Sequence, residues 1–169
     1  MKKILLALIV ITSIVSCSTQ EVKTTHNYPS SASGYTLDST ANTDLVKSSA
    51  IALAKNDTAG YRKTYSSDVV FHDNNDSANL TQNMAGIKAI FDKGIVMKLD
   101  GIGAMWETVY NKPNEKGIVS YVNSYQGFTF TKGSKSIKVI FSVDDAIKDG
   151  KQVEEWLFYD KSGIAELMK

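Results

Sequence analysis

Polar and apolar positions in this chain follow two periods, and the change falls near Gly94. Between Asp44 and Gly94 apolar residues recur at helical spacing. "TDLVKSSAIALAKND" sets Val46, Ala50 and Leu53 on one face with Leu45 and Ala52 beside them, and Thr43 stands as N-cap. "DTAGYRKTYSSD" predicts a shorter helix capped by Asp57, with Tyr61 and Tyr65 one turn apart. Val69-Val70-Phe71 is a brief strand that runs into a polar turn. "NMAGIKAIFDKG" then places Met84, Ile87 and Phe91 on one stripe, with Gly94 where a left-handed cap belongs.

Beyond that point apolar residues alternate. Lys98–Lys112, Gly117–Thr131, Ser136–Ile147 and Gln152–Tyr159 read as long strands, separated by "KPNEKG", "TKGSK" and "KDGK". Asp149-Gly150 is a two-residue hairpin signal. Three hairpins in series form an antiparallel meander. Helices first and strands last predict an α+β fold, three N-terminal helices packed on the meander, over residues 44–169.

The N-terminus has a different texture. Lys2 and Lys3 precede an unbroken apolar run from Ile4 to Ile11, the pattern of a secretory signal, too short to span a bilayer. It ends in Ile14-Val15-Ser16-Cys17, which resembles the lipobox of bacterial lipoproteins. That resemblance implies a signal over residues 1–16 and diacylglycerol on Cys17; the alternative is an ordinary signal followed by a free thiol. Two acyl chains make such an anchor stable where one does not. Residues 17–43 are rich in Ser and Thr and read as a tether. Ser18 is not the aspartate that keeps lipoproteins at the inner membrane, so outer-membrane attachment is expected, with the leaflet it faces left open.

Composition narrows the chemistry. The 169 residues are 43% hydrophobic and 22% charged, enough for one globular domain. Loss of Lys2 and Lys3 with the signal takes the basic count from 19 to 17 against 18 acidic residues, a net charge of −1. With no basic stripe, nucleic acid is not an expected partner. Cys17 is the only cysteine, which excludes disulfides, cysteine-zinc clusters and thiol catalysis within the domain.

The stretch with chemistry in it is "YSSDVVFHDNND", Tyr65 to Asp76. As a calcium loop it fails twice, with Ala78 where glycine is needed and Met84 where a bidentate glutamate belongs. As a zinc site it lacks ligands, since the other histidine, His26, lies in the tether. Two readings of Asp73 stay open: a cap for the turn, or a general base at the end of a strand, where apolar walls favour a carboxyl's neutral form. His72 points to the opposite face from Asp73, because strand residues alternate.

Helix, helix, short strand, helix and long meander is the order of the nuclear transport factor 2-like superfamily. "YSSDVVFHD" and "AIKDGKQVEEWLFYD" are the segments that resemble it, across roughly Asp44 to Asp160. The resemblance implies a cone, the sheet curling over the helices around an internal apolar pocket. In one member, ketosteroid isomerase, an aspartate base works with a tyrosine and a protonated aspartate as oxyanion donors. The base matches Asp73, but the donors fall near Ser49 and Ser142, so isomerase activity is not implied. Similarity to polyketide cyclases, which rely chiefly on one carboxylate, is unbroken.

The resemblance also orients the strands. Tyr121, Asn123 and Tyr125, with Trp156, Phe158 and Asp160, are expected to look inward beside Tyr65 and Ser142, and to contact the ligand. The opposite face, with Val122 and Phe141, is expected to be covered in a homodimer. Three functions follow: an envelope-anchored domain that binds a small apolar or aromatic ligand, a cofactor-free cyclase- or isomerase-type enzyme using Asp73, or a module whose sheet docks a protein. The first is the expectation carried forward, with no metal and no cofactor.

Overall fold

The computed structural model describes residues 33–169. The signal, Cys17 and most of the tether lie outside the described residues. The elements are β1 (Gly34–Leu37), α1 (Ala41–Ala54), α2 (Thr58–Thr64), β2 (Tyr65–Asp73), β3 (Asp76–Asn79), α3 (Leu80–Asp92), β4 (Val96–Tyr110), β5 (Ser120–Lys132), β6 (Lys135–Lys148), β7 (Lys151–Phe158) and α4 (Ser162–Met168).

Seven strands form one sheet in the order β1-β4-β5-β6-β7-β2-β3. The meander β4 to β7 is antiparallel throughout, as its three turn signals require. At Asp149 and Gly150 φ is 51° and 69°, the left-handed pair that lets Lys148 face Lys151 across two residues. The sheet is nonetheless mixed, because β2 lies parallel to β7. The predicted class, α+β with helices packed on a curved sheet, is the class observed.

Four differences have local causes. The tether ends sooner than residue 43: Gly34–Leu37 pairs with β4 in antiparallel register, taking up an edge that β4 would otherwise leave unpaired. Helix α1 starts earlier too. Thr40 is its N-cap, and Thr43 is the reciprocal partner, each hydroxyl accepting from the other's backbone N–H at 3.1 and 2.8 Å. The polar turn after His72 closes a hairpin, with Asn74 at φ 53° and Asp73 facing Asp76. A fourth helix, α4, follows the meander; its short apolar pattern (Ile164, Leu167, Met168) covers less than two turns.

The helices fill the concave side of the sheet. Asp57 caps α2 by accepting from the Gly60 N–H at 2.8 Å, and Asn79 with Gln82 caps α3 reciprocally. Gly94, at φ 73°, ends α3 as expected. One apolar cluster joins Ala50, Met97, Phe128, Phe130, Val139 and Leu167. A second gathers Tyr61, Tyr65, Val69, Phe71 and Leu80, and a third Val46, Val122 and Ile147.

Candidate functional site

Between the first two clusters lies a cavity of about 330 Å³. Phe128, Phe130 and Phe141 from the meander, Phe71 from β2, Leu53 from α1 and Ile87 from α3 supply apolar wall. The rings touch one another: Phe141 packs edge-on against Phe128 at 5.6 Å and tilts against Tyr159 at 4.4 Å. Two polar groupings stand out among lining residues that also include Ser49, Gln82, Asn83 and Gln126.

The first is the floor. Tyr65 is the last cap of α2 and the first residue of β2, so the helix-to-strand turn aims its ring inward against Tyr61 and Phe71. Its hydroxyl donates to Glu155 Oε2 at 2.6 Å. Glu155 lies on β7 opposite Asp145 on β6. Both carboxyls are buried, at 5% and 0% exposure. As two carboxylates they could not hydrogen-bond, and neither oxygen of Asp145 has a donor. A proton resolves this. Burial first, then the Glu155 charge, pushes the Asp145 carboxyl well above the usual carboxylate range, which favours its protonated form. Burial pushes Glu155 up to about 7 against the pull of its Tyr65 and Asp145 hydrogen bonds. Burial and the Glu155 charge together raise Tyr65 and Tyr61 well above the usual tyrosine value.

The second polar group is the mouth. Asp73 Oδ2 accepts from the Tyr159 hydroxyl at 3.0 Å, and Asp73 Oδ1 from the Asn74 amide at 3.2 Å. Asp76 is tied to Lys161 at 2.8 Å. Asp73 therefore braces the turn, as the capping reading expects, and also lines the cavity. Burial and the nearby Asp73 raise the Tyr159 hydroxyl above its usual value, so it stays a donor. Among the described residues no three His, Cys, Asp or Glu side chains are placed to hold a metal ion.

The expected lining needs correction. Tyr65 and Asp73 face the cavity, but Tyr121, Asn123, Tyr125, Ser142, Trp156 and Phe158 lie on the other side of the sheet. Tyr125 is 48% exposed and Phe158 54%. Their neighbours Val122, Gln126, Phe128, Phe141, Val143 and Leu157 face the helices instead. The alternation was legible, and its phase was inverted. Asp160 is exposed and accepts from the Ser162 N–H at 2.9 Å, bracing the start of α4. Val122 and Phe141 are inside, so they form no outer apolar face. His72 does oppose Asp73, and stacks on Trp156 at 5.0 Å outside the cavity.

No family profile matches the chain, and no curated protein matches it. Solved structures do. One is a nuclear transport factor 2-like protein of unknown function from Burkholderia pseudomallei, 13% identical, covering 78% of this chain and 99% of that one at TM-score 0.56. The fold is nuclear transport factor 2-like. A putative polyketide cyclase from Pseudomonas putida is 14% identical, covering 76% and 98% at TM-score 0.55. An LEH-like epoxide hydrolase from M. tuberculosis is 13% identical, covering 78% and 92% at TM-score 0.55. At such identities the likeness is one of fold, and the cavity here is built on this chain's own residues.

Proposed function

We propose that this chain is an envelope domain, held to the outer membrane by lipid on Cys17, that binds one small, largely apolar ligand inside the cone. The observation that carries the reading is the cavity itself: aromatic and aliphatic walls interrupted by a minority of polar side chains, the composition of a small-molecule site. Gly86 supports it. A glycine in the middle of α3 costs the helix about 1 kcal/mol relative to alanine. It lines the cavity, and a Cβ there would meet nothing within 4 Å. Gly86 is exposed at the cavity's edge, so a large side chain there has room to reach toward the opening.

Gly86→Leu is the test. In the soluble chain carrying Cys17→Ser, the variant should melt no lower than its parent and lose binding of apolar dyes and of any metabolite that raises the parent's melting temperature. Equal binding in parent and variant would show that these molecules bind elsewhere. Cys17→Ser in the full chain should itself release the protein from the membrane fraction or leave it unprocessed in the inner membrane, and unchanged outer-membrane attachment would remove the anchor from the proposal.

An enzymatic reading is favoured by one observation, the Glu155 carboxyl poised near neutrality beside two tyrosine hydroxyls. In that reading a cofactor-free acid/base step of the cyclase or isomerase type uses Glu155, with Asp73 at the mouth as the other candidate. Turnover lost in Glu155→Gln and kept in Asp73→Asn would assign it. A homodimer is proposed as well, through the outer face where Tyr125, Ile140 and Phe158 are exposed; a monomer by sedimentation would exclude it.

A further inference from the structure

The charge inventory of the cavity is one-sided. Asp73, Asp76 and Glu155 line it, Asp145 stands behind Glu155, and no lysine, arginine or histidine is among the lining residues. Lys161 is held outside the mouth on Asp76. A pocket meant only for hydrocarbon gains nothing from a buried carboxyl pair, which is costly to desolvate. Behind the lining, both oxygens of Asp145 lack a hydrogen-bond partner. What the cavity lining lacks is positive charge. What surrounds it is aromatic rings, whose faces attract cations.

We propose that the cone selects an organic cation, a protonated primary amine on an aromatic or apolar body, with its ammonium on the Glu155 carboxylate and its body among Phe128, Phe130 and Phe141. The inference rests on the pocket reading above and names its ligand class. The ammonium donates to Glu155 beside the Tyr65 hydroxyl, while the aromatic walls hold the body and exclude water.

Binding is linked to protons. The titratable groups facing Glu155 are Tyr65 and Asp73 on β2, Tyr61 on α2 and Asp145 on β6. The packed faces of α1 and α3 bring Ser49, Gln82 and Asn83, which do not titrate. Below neutrality Glu155 is protonated, so R–NH₃⁺ must displace that proton to solvent as it binds. Above neutrality the carboxylate is already free. Affinity for an amine therefore rises with pH through the neutral range, as long as the amine stays protonated, and affinity for a neutral analogue does not.

Three probes of one shape test this by calorimetry on the Cys17→Ser chain: naphthylethylamine, naphthylethanol and naphthylacetate. At about pH 8 the amine should bind at least about tenfold tighter than the alcohol, the scale of a desolvated cation–π or charge-assisted contact, and the acetate should bind weakest. The amine's advantage should shrink several-fold at about pH 6. Glu155→Gln should erase it and leave the alcohol's affinity in place. If alcohol and amine bind equally in the parent chain, cation selection is wrong and the pocket stands. An amine preference that survives Glu155→Gln or ignores pH would also overturn it, because the preference then comes from elsewhere. If none of the three binds, the pocket reading falls together with the proposal. The pH series needs no variant, so a failure of Glu155→Gln to fold leaves it decisive.

Discussion

Glu155→Gln should make the domain more stable above neutral pH, although it removes a charged partner of Tyr65 and Asp145. The magnitude follows from proton linkage. Burial raises the folded Glu155 carboxyl from the ordinary 4.5 to about 7. Between those values the folded state holds a proton that the unfolded state has lost, so stability falls as pH rises through the window. Below about pH 4.5 the proton is bound in both states and nothing is lost; above about pH 7 the loss is complete. At about 1.4 kcal/mol for each factor of ten, the full window is worth about 3 kcal/mol. Glutamine has no such window. Its carbonyl still accepts from Tyr65, and its amide offers Asp145 the donor that the aspartate lacks. Urea unfolding followed by the fluorescence of Trp106 and Trp156 measures both chains from about pH 5 to about pH 8. The parent should lose stability steadily across that range while the variant stays level, so that the two curves part at the alkaline end. Parallel curves would mean that Glu155 is not a buried, proton-holding group, and with it the description of the floor would fail.

Two further perturbations test other parts of the frame. Glu107 is 4% exposed; burial alone would raise its carboxyl, but hydrogen bonds from Ser120 at 2.5 Å and Asn42 at 2.8 Å, together with Thr40, hold it below its ordinary value. Its contribution is thus present above the ordinary glutamate value and lost as pH falls through the lower folded one, so Glu107→Gln should cost about 1–2 kcal/mol at neutral pH and nothing in strong acid; a cost that persists in acid would refute the electrostatic cause. Leu167 on α4 is 3% exposed in the cluster of Met97, Phe128 and Phe130, so Leu167→Ala should destabilise by about 2–3 kcal/mol in urea unfolding, and no change would undock the helix.

The parts of the fold that could be read in the sequence are those set by local physics. Turn residues with left-handed backbones, Gly94, Asp149 and Gly150, mark element ends because few other residues tolerate them, and the meander strands between them fall within three residues of their observed limits at either end. Asp57 caps the helix that it precedes. What local pattern does not carry is pairing between distant segments. Nothing in Val69-Val70-Phe71 says that it will lie parallel to a strand more than eighty residues later, and nothing in Gly34–Leu37 says that β4 has an edge to cover. Helix α4 is invisible for a related reason: seven residues have little helical preference of their own, and Leu167 is ordered by the cluster it joins.

The site was half legible, and the half that was missed left a signal. Alternation separates the two faces of a strand without saying which is inside. Aromatic content was the wrong arbiter of that choice, since both faces of this sheet carry rings, and Trp156 packs on His72 as readily as Phe141 packs on Tyr159. Charge was the better one. "VDDAI" and "VEEWLF" each place two carboxylates side by side within a strand, and adjacent strand residues point to opposite faces. The two acids of each pair take opposite faces: Glu154, also buried, pairs with Lys116 on the side of Asp144, while Asp145 and Glu155 turn inward. Two hairpin-linked strands each forced to bury an acid bring those acids together in the antiparallel register, where one proton must serve both. The Asp149-Gly150 turn by itself would set Asp145 opposite Glu154; the observed pairing with Glu155 comes from the one-residue irregularity between Ala146 and Ile147. The doublets thus show that each strand turns one acid inward, while which acids meet behind the cavity is decided by that irregularity in the hairpin.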